Sequence, residues 1–370
     1  MSVVIHGQKV PVGPHCMYMN LATLPVKSSS GFLVVKTRLN GSPTVMVADT
    51  GRLHTLLTLQ EANKLGLKLT HTTVTQTGAD GVVRSTYATF VDDVSLDKFF
   101  WHGVRLAVAD SIESERLLAG ADILLNGLNR DVEFSVATRQ IKFFAPSAEC
   151  RDAFLAYWDN NALAVPLSDL SAHDPRQVVT VEINGHQMTA MIDSGAPISM
   201  INLEAAARVG ITPQSPGVVE STGSSGVGKQ YGKAWLAPFE SFAIGGEVIK
   251  NARIAIADLW GPAPKDPTFQ GALRLASITP LVPVPGSDNS TIVSEKSGDA
   301  LARIGAISSE SLQVDRPDML LGADFLRSHR VLLAMSQRRM YYTYLGGTVF
   351  GNNEEAKTAE RASARLVQLN

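Results

Sequence analysis

Two matching segments 144 residues apart most constrain how this 370-residue chain can fold. The first contains Asn40-Gly41 followed by Asp49-Thr50-Gly51, and the second contains Asn184-Gly185 followed by Asp193-Ser194-Gly195, at the same offset. A repeat this long exceeds the roughly 20–50-residue period of solenoid units, so it indicates a duplicated domain. Each copy carries one aspartate on a short Asp-Thr/Ser-Gly turn.

The two copies also share a predicted local structure. The Asn-Gly pairs predict tight β-hairpins, because asparagine and glycine tolerate the positive φ angles of such turns. Short β-rich runs dominate the rest of each copy, which predicts a mainly β protein. A short helix is predicted nine residues after each aspartate, with an N-cap at its start and a glycine after its end. The predicted caps are Thr58 with Glu61, and Asn202; the terminating glycines are Gly66 and Gly210.

Composition excludes several classes of function. A net charge of −2 gives no electrostatic reason to expect a nucleic-acid partner. No run approaches 18 consecutive apolar residues, so we expect no membrane span. The histidines and cysteines lack metal-ligand spacing, so we expect neither a metal nor another cofactor. The two cysteines, Cys16 and Cys150, can form one bridge, but we favour two unrelated thiols.

The N-terminus does not have the charged start and apolar core of an export signal. If Met1 is the natural start, we expect a cytoplasmic protein. If an export signal has been removed, we expect a periplasmic or secreted one.

Further motifs carry a resemblance to a known family. An apolar strand running into Asp-Thr/Ser-Gly, a helix ending in glycine, a glycine-bearing hairpin and the run Leu320 to Leu326 (LLGADFL) occur in order. This order resembles the retropepsin-like aspartic proteases, over about 164–344 in the second half and 21–144 in the first. Two fused copies are similar to the bacterial, single-chain, two-lobed members of that group. The resemblance implies a mainly β fold of two acid-protease β-barrel lobes with a cleft between them and a few short helices.

We expect the following organisation along the chain. An N-terminal segment covers 1–17, the first lobe 18–148, a linker 149–161, the second lobe 162–350 and a C-terminal tail 351–370. The second lobe carries an insertion at about 261–317, which is rich in proline, glycine and serine. The expected protein is a monomer with an internal pseudo-dimer.

The resemblance also implies the activity and the site. Asp49 and Asp193 would form a proton-sharing dyad that activates water to hydrolyse peptide bonds in an extended peptide or protein substrate. Thr50, Gly51, Ser194 and Gly195 would support the dyad. The substrate-binding and flap residues would be Arg52, Ala196, Gly78, Ala79, Asp80, Gly81, Gly223, Ser224, Ser225 and Gly226.

Two departures from the family pattern keep alternatives open. Arg52 occupies the position where the second copy has the small residue Ala196, and Asn126 replaces the glycine of the Leu-Leu-Gly element. The chain could therefore be a catalytically silent or latent peptide-binding protein of the same fold. It could also pair Asp193 with its copy from another chain in an intermolecular dimer.

Overall fold

A computed structural model describes most of both repeats of the chain. The described residues are 2–5, 8–11, 15–29, 32–71, 75–78, 81–97, 99–109, 116–125, 130–171, 174–221, 233–260 and 316–350. Strands dominate these residues, and the α-helices among them are short.

The strands in the first half are β1 (Ser2–Ile5), β2 (Gln8–Pro11), β3 (Tyr18–Ser29), β4 (Phe32–Leu39), β5 (Ser42–Ala48), β6 (Leu56–Thr58), β7 (Leu69–His71), β8 (Thr75–Gly78), β9 (Gly81–Leu96), β10 (Phe99–Ala109), β11 (Leu117–Ala119), β12 (Asp131–Ser135) and β13 (Gln140–Pro146). Those in the second half are β14 (Leu163–Pro166), β15 (Ser168–Ser171), β16 (Asp174–Ile183), β17 (His186–Ile192), β18 (Met200–Asn202), β19 (Val219–Ser221), β20 (Ala234–Ile244), β21 (Glu247–Ala257), β22 (Met319–Leu321), β23 (His329–Ala334) and β24 (Arg339–Tyr344). The helices are α1 (Leu59–Lys64), α2 (Ala121–Leu124), α3 (Leu203–Arg208) and α4 (Ala323–Ser328), with a 3₁₀ turn at Ala148–Cys150.

Six strands of the first half close into a barrel. Hydrogen bonding follows the order β4-β5-β11-β6-β10-β9 and returns from β9 to β4. The pairings of β11 with β5 and of β10 with β6 are parallel, and the others are antiparallel. Closure removes the exposed sheet edges that would otherwise invite aggregation.

Six strands of the second half repeat this pattern. The order is β16-β17-β22-β18-β21-β20, again closed by a pairing of the last strand with the first. The pairings of β22 with β17 and of β21 with β18 are the parallel ones, as in the first barrel. The predicted fold class, two duplicated β-barrel lobes with a few short helices, is confirmed.

A sheet shared by both halves joins the barrels. Its order is β14-β24-β23-β12-β13-β3, in which first-half β12 pairs with second-half β23. A buried ionic cluster crosses this junction: the Glu133 carboxylate lies 3.0 Å from the Arg330 guanidinium and 3.5 Å from the Lys142 ammonium. The Tyr157 hydroxyl, from the connecting segment, donates to the same carboxylate over 2.6 Å. Because removing one partner would leave an uncompensated buried charge, this cluster strongly couples the two halves.

Local predictions hold at the two hairpins and at the first helix. Asn40 and Asn184 have φ of 48° and 49°, and each begins a tight turn between paired strands. Thr58 caps α1 by accepting a hydrogen bond from the Glu61 N–H over 3.3 Å. The reciprocal half of a capping box is absent from the described contacts, because the Thr58 N–H donates to the Arg116 carbonyl and the Glu61 carboxylate accepts from Lys64. Asn202 stands at the N-cap position of α3, as predicted, but its side chain makes no capping hydrogen bond to the helix. It accepts from the Leu259 N–H instead.

The prediction of two unrelated thiols is also wrong. Cys16 and Cys150 form a disulfide between residues 134 apart in sequence, with Cα atoms separated by 4.5 Å. It lies in a small apolar cluster with Tyr18 and Phe144, whose rings stack at 4.6 Å. The folded path of β3 and β13 brings the two cysteines together, and nothing in their spacing indicates this.

Several predicted features lie outside the described residues. They are Ala79, Asp80, Asn126, the second-half flap residues Gly223, Ser224, Ser225 and Gly226, the tail 351–370 and nearly all of the 261–317 insertion. In the described part of the chain, none of the helices has the length and hydropathy of a membrane span.

Candidate active site

The two Asp-Thr/Ser-Gly turns are held in matching ways. Asp49 follows the end of β5 and its N–H donates to the Ala119 carbonyl over 2.9 Å; Asp193 follows β17 and donates to the Leu321 carbonyl over 2.9 Å. A hydrogen bond of 3.2 Å closes each turn: the Arg52 N–H donates to the Asp49 carbonyl, and the Ala196 N–H donates to the Asp193 carbonyl. The duplicated sequence therefore produces two turns held by equivalent hydrogen bonds.

Reciprocal hydrogen bonds tie these turns together. The Thr50 hydroxyl donates to the Ile192 carbonyl over 2.7 Å and accepts from the Ser194 N–H over 3.0 Å. The Ser194 hydroxyl donates to the Ala48 carbonyl over 2.8 Å and accepts from the Thr50 N–H over 3.0 Å. Thr50 and Ser194 are completely buried, so water cannot replace these partners.

The two carboxyl groups converge between the turns. A Cβ atom added to Gly51 would overlap the carboxyl group of Asp193, and one added to Gly195 would overlap that of Asp49. Each carboxyl group thus packs against the glycine of the opposite turn, and no larger residue fits at either position. The Asp193 carboxylate oxygen Oδ1 also accepts from the N–H groups of Gly195 and Ala196, over 2.9 and 3.0 Å.

Burial and a neighbouring negative charge govern the ionisation of Asp193. Burial, followed by the charge of Asp49, raises the pKa of Asp193 to about 7. The N–H groups of Gly195 and Ala196 and the positive charge of Arg176 act in the opposite direction on this pKa and are outweighed. At pH values below about 7 the two carboxyl groups therefore hold a proton between them.

Arg52 makes the site asymmetric. Its Nε lies 3.4 Å from Asp49 Oδ2, and both side chains are largely buried, at 9% and 14% exposure. The equivalent residue in the second turn is Ala196, which carries no charge. The guanidinium therefore stabilises negative charge on Asp49, whereas the positive charge that acts on Asp193, that of Arg176, is balanced by an ion pair with Asp174.

Arg176, in β16, is a site residue that the sequence reasoning missed. Its Nη1 donates to the Gly51 carbonyl of the first turn over 3.1 Å. The Asp174 carboxylate holds the same guanidinium through three hydrogen bonds of 2.5–3.0 Å. The equivalent position in the first repeat is Phe32, so comparing the two copies gives no signal for this contact.

Two further carboxylates hold the chain segments that follow the two turns. Asp122 accepts from the Thr55 hydroxyl and N–H, and Asp324 accepts in the same way from Ser199, with hydroxyl contacts of 2.6 Å in both cases. Burial raises the pKa of Asp324. The sequence reasoning named Asp324 within a motif but did not assign it this role.

Gly120 and Gly322 occupy equivalent places, because the Ala121 N–H donates to the Arg52 carbonyl and the Ala323 N–H to the Ala196 carbonyl, both over 2.7 Å. The prediction that Asn126 replaces the first-half glycine is therefore wrong, since Gly120 is that glycine. A Cβ atom on Gly120 would lie 2.7 Å from the His54 carbonyl carbon, and one on Gly322 would lie 2.6 Å from that of Ile198. These glycines allow the backbone before α2 and α4 to approach the chain that follows each aspartate.

The first predicted flap is a β-hairpin. Gly78 at the end of β8 pairs with Gly81 at the start of β9. Its tip, Ala79-Asp80, and the second flap lie outside the described residues, so both flaps stay predictions. Among the described residues, no group of three or more potential ligands clusters as a metal site would require.

Comparisons with known proteins agree with this architecture. The family model described as aspartyl protease matches residues 35–125 and 179–276, just over half of the chain. No curated protein matches the chain.

Solved structures include three matching chains of low identity. The aspartic proteinase from Irpex lacteus is 12% identical, with a TM-score of 0.46, and the match covers 87% of this chain and 97% of that one. Basic 7S globulin from soybean is 11% identical, with a TM-score of 0.42, and the match covers 90% of this chain and 99% of that one. A retropepsin-like aspartic protease from Rickettsia conorii is 16% identical, with a TM-score of 0.25, and the match covers 38% of this chain and 96% of that one. On the strength of the family match over both repeats, the chain belongs to the aspartyl protease family.

Proposed function

We propose that this protein is an aspartic endopeptidase in which Asp49 and Asp193, from the lobes 18–148 and 162–350 of one chain, form the catalytic dyad. The observation that carries the proposal is the convergence of the two carboxyl groups, each packed against the glycine of the opposite turn. Two carboxyl groups this close cannot both be charged, so they share a proton. The Thr50–Ser194 hydrogen bonds within one chain support this pairing over one between two chains.

The asymmetry of the site assigns the two roles. Asp49, beside the Arg52 cation, is the ionised base, and Asp193, with its raised pKa, holds the proton. Asp49 takes a proton from a water molecule as the water oxygen bonds to the peptide carbonyl carbon. Asp193 gives its proton to the carbonyl oxygen, which yields a tetrahedral gem-diol.

The second step reverses the proton transfers. The C–N bond breaks as Asp49 passes its proton to the leaving nitrogen. One gem-diol hydroxyl returns a proton to Asp193, and the carbonyl of the new carboxylic acid forms. The dyad ends in its starting state without a covalent intermediate.

The remaining predicted residues have supporting roles in this proposal. Thr50 and Ser194 hold the turns at a fixed separation, and Gly51 and Gly195 give the carboxyl groups room. The flap around Gly78–Gly81 and its second-half equivalent at Gly223–Gly226 would close over an extended peptide and exclude water.

The test is to replace each aspartate by its amide. Asp49→Asn and Asp193→Asn should each abolish cleavage of a denatured protein substrate while the circular dichroism spectrum stays native. Asp92→Asn, at an exposed site on β9, is the matched control and should keep full activity. Full activity in Asp49→Asn, with a specific activity that falls on dilution, would indicate the intermolecular dimer instead.

One observation favours a second candidate, a silent or latent peptide-binding protein. The bulky Arg52 side chain lies beside Asp49, at the position where the other turn has the small Ala196. Under this alternative, purified protein binds peptides without cutting them, and Arg52→Ala produces cleavage. Cleavage by the unmodified chain would exclude it.

A further inference from the structure

One face of the first barrel carries an apolar cluster separate from the main core. Met46 and Ala48 of β5 point into the main core, whereas Val47 packs with Leu56 and Leu118 in a second cluster. Successive side chains of a strand point to opposite faces. Asp49, two residues after Val47, therefore continues the face of this second cluster, which we call the cleft-side cluster (Val47, Leu56 and Leu118, with Phe32, Val34 and Ala107 packed against it).

Arg116 lies at the edge of the cleft-side cluster. Its guanidinium carbon stands 5.7 Å from the centroid of the Phe32 ring, in a cation–π contact. Its backbone is fixed at both ends of the residue, because the N–H donates to the Thr58 hydroxyl over 3.2 Å and the carbonyl accepts from the Thr58 N–H over 3.1 Å. The side chain is half-buried, and this burial lowers the pKa of Arg116.

The charge of Arg116 is not matched within the described part of the chain. No carboxylate there forms an ion pair with its guanidinium, whereas Arg52, Arg176, Arg208, Arg330 and Arg338 each have one. Partial removal of a cation from water is costly unless an anion compensates for it. An arginine in this setting is therefore suited to binding a carboxylate supplied by a ligand.

The second lobe lacks this feature at the equivalent place. The counterpart of Arg116 is Asp318, whose carbonyl accepts from Asn202 as that of Arg116 accepts from Thr58. Asp318 is paired with Arg208 over 2.6 Å. The counterparts of Val47, Leu56 and Leu118 are the apolar Met191, Met200 and Leu320, and the counterpart of Phe32 is Arg176. The cation of the second wall, Arg176, is thus balanced by Asp174, whereas Arg116 of the first wall has no ion-pair partner in the described part of the chain.

We propose that Arg116, with Phe32 beneath it, forms a subsite that binds an acidic side chain of the substrate on one side of the scissile bond. The opposite wall accepts an apolar side chain. This inference rests on the proposed function and names its substrate class: peptides that carry Asp or Glu at one fixed position near the cleaved bond. Arg52 is a different group, because its guanidinium lies against Asp49.

The experiment compares peptides that differ only in Glu against Gln at successive positions on both sides of one cleaved bond. With the full chain, kcat/KM should be roughly 10- to 100-fold higher for Glu at one position, the range expected of a charged hydrogen bond. Arg116→Met should bring this ratio to about one, and Arg116→Glu should invert it and favour Lys at the same position. Each ratio compares two peptides on the same preparation of one variant. A loss of folded protein lowers both kcat/KM values equally and therefore leaves the ratio unchanged.

The control is Arg105→Met, which removes an exposed arginine from β10 and should leave both the activity and the ratio unchanged. Added salt should shrink the ratio in the unmodified protein, since it screens the charge interaction. A ratio near one at every position in the unmodified protein, or one that survives Arg116→Met, would overturn the subsite. Failure to cut any peptide, Gln forms included, would instead count against the proposed function.

Discussion

The hydrogen bonds between the two turns give the sharpest test of how the site is built. Thr50→Val keeps the size and β-branching of the side chain but removes its hydroxyl. The change breaks the 2.7 Å bond to the Ile192 carbonyl and the 3.0 Å bond from the Ser194 N–H. Both groups then lie buried without these partners, beside the two aspartates.

The expected cost follows from these two losses. Leaving a buried polar group without its hydrogen bond costs about 1–3 kcal/mol, so the two together should lower the free energy of unfolding by about 2–6 kcal/mol. That is a large fraction of the roughly 5–15 kcal/mol that stabilises an ordinary domain. Cleavage activity should fall as well, because the separation of the carboxyl groups depends on these bonds.

The assay is urea denaturation followed by tryptophan fluorescence, in an Asp49→Asn background that cannot digest itself. Thr44→Val is the matched control: Thr44 is also buried, in β5, and its hydroxyl has no hydrogen-bond partner in the described structure. That control should change the free energy of unfolding by less than about 0.5 kcal/mol, or increase it. Equal effects of the two substitutions would refute the reasoning.

Three further outcomes are expected. Because the proposed mechanism needs a proton on Asp193, whose pKa burial raises to about 7, kcat/KM should fall about tenfold per unit as pH rises above that value; a pH–rate profile that stays flat to pH 9 would contradict this. Replacing Cys16 and Cys150 together by serine should lower the free energy of unfolding by about 3–5 kcal/mol, since their disulfide closes a loop across 134 residues; unfolding with and without a reductant measures this, and equal midpoints would argue against the bridge. Gly322→Ala should reduce kcat/KM at least roughly tenfold, because the new Cβ would stand 2.8 Å from the Ala196 carbonyl oxygen and displace the chain after Asp193; unchanged kinetics would show that the segment can move without harm.

Short-range features could be predicted because neighbouring residues determine them. The Asn-Gly turns and the Thr58 cap depend on the φ angles and hydrogen bonds available within a few residues. Asn202 shows where such reasoning ends. It stands at the correct helix position, yet its amide oxygen accepts from Leu259, a residue 57 positions away that only the folded barrel brings close.

Charged partners across the fold could not be predicted. Arg176 contacts the first turn from the second lobe, and Arg116 lies over Phe32, 84 residues earlier in the chain. Neither arginine has a like residue at the equivalent position of the other copy, so the comparison of the two repeats could not find them. The disulfide was missed for a similar reason, since its cysteines meet only after β3 and β13 pair.

The sequence by itself determined that this chain holds two copies of one β-rich unit, each ending a strand at an Asp-Thr/Ser-Gly turn. Strand alternation, turn residues and a repeated spacing are properties of the covalent chain and survive without any knowledge of packing. Only the tertiary structure decided how the copies meet: the shared sheet, the reciprocal Thr50–Ser194 bonds, and the contact of Arg176 with the Gly51 carbonyl. Those depend on distances between residues far apart in sequence, and electrostatic effects on a buried carboxyl group follow distance and burial rather than residue order.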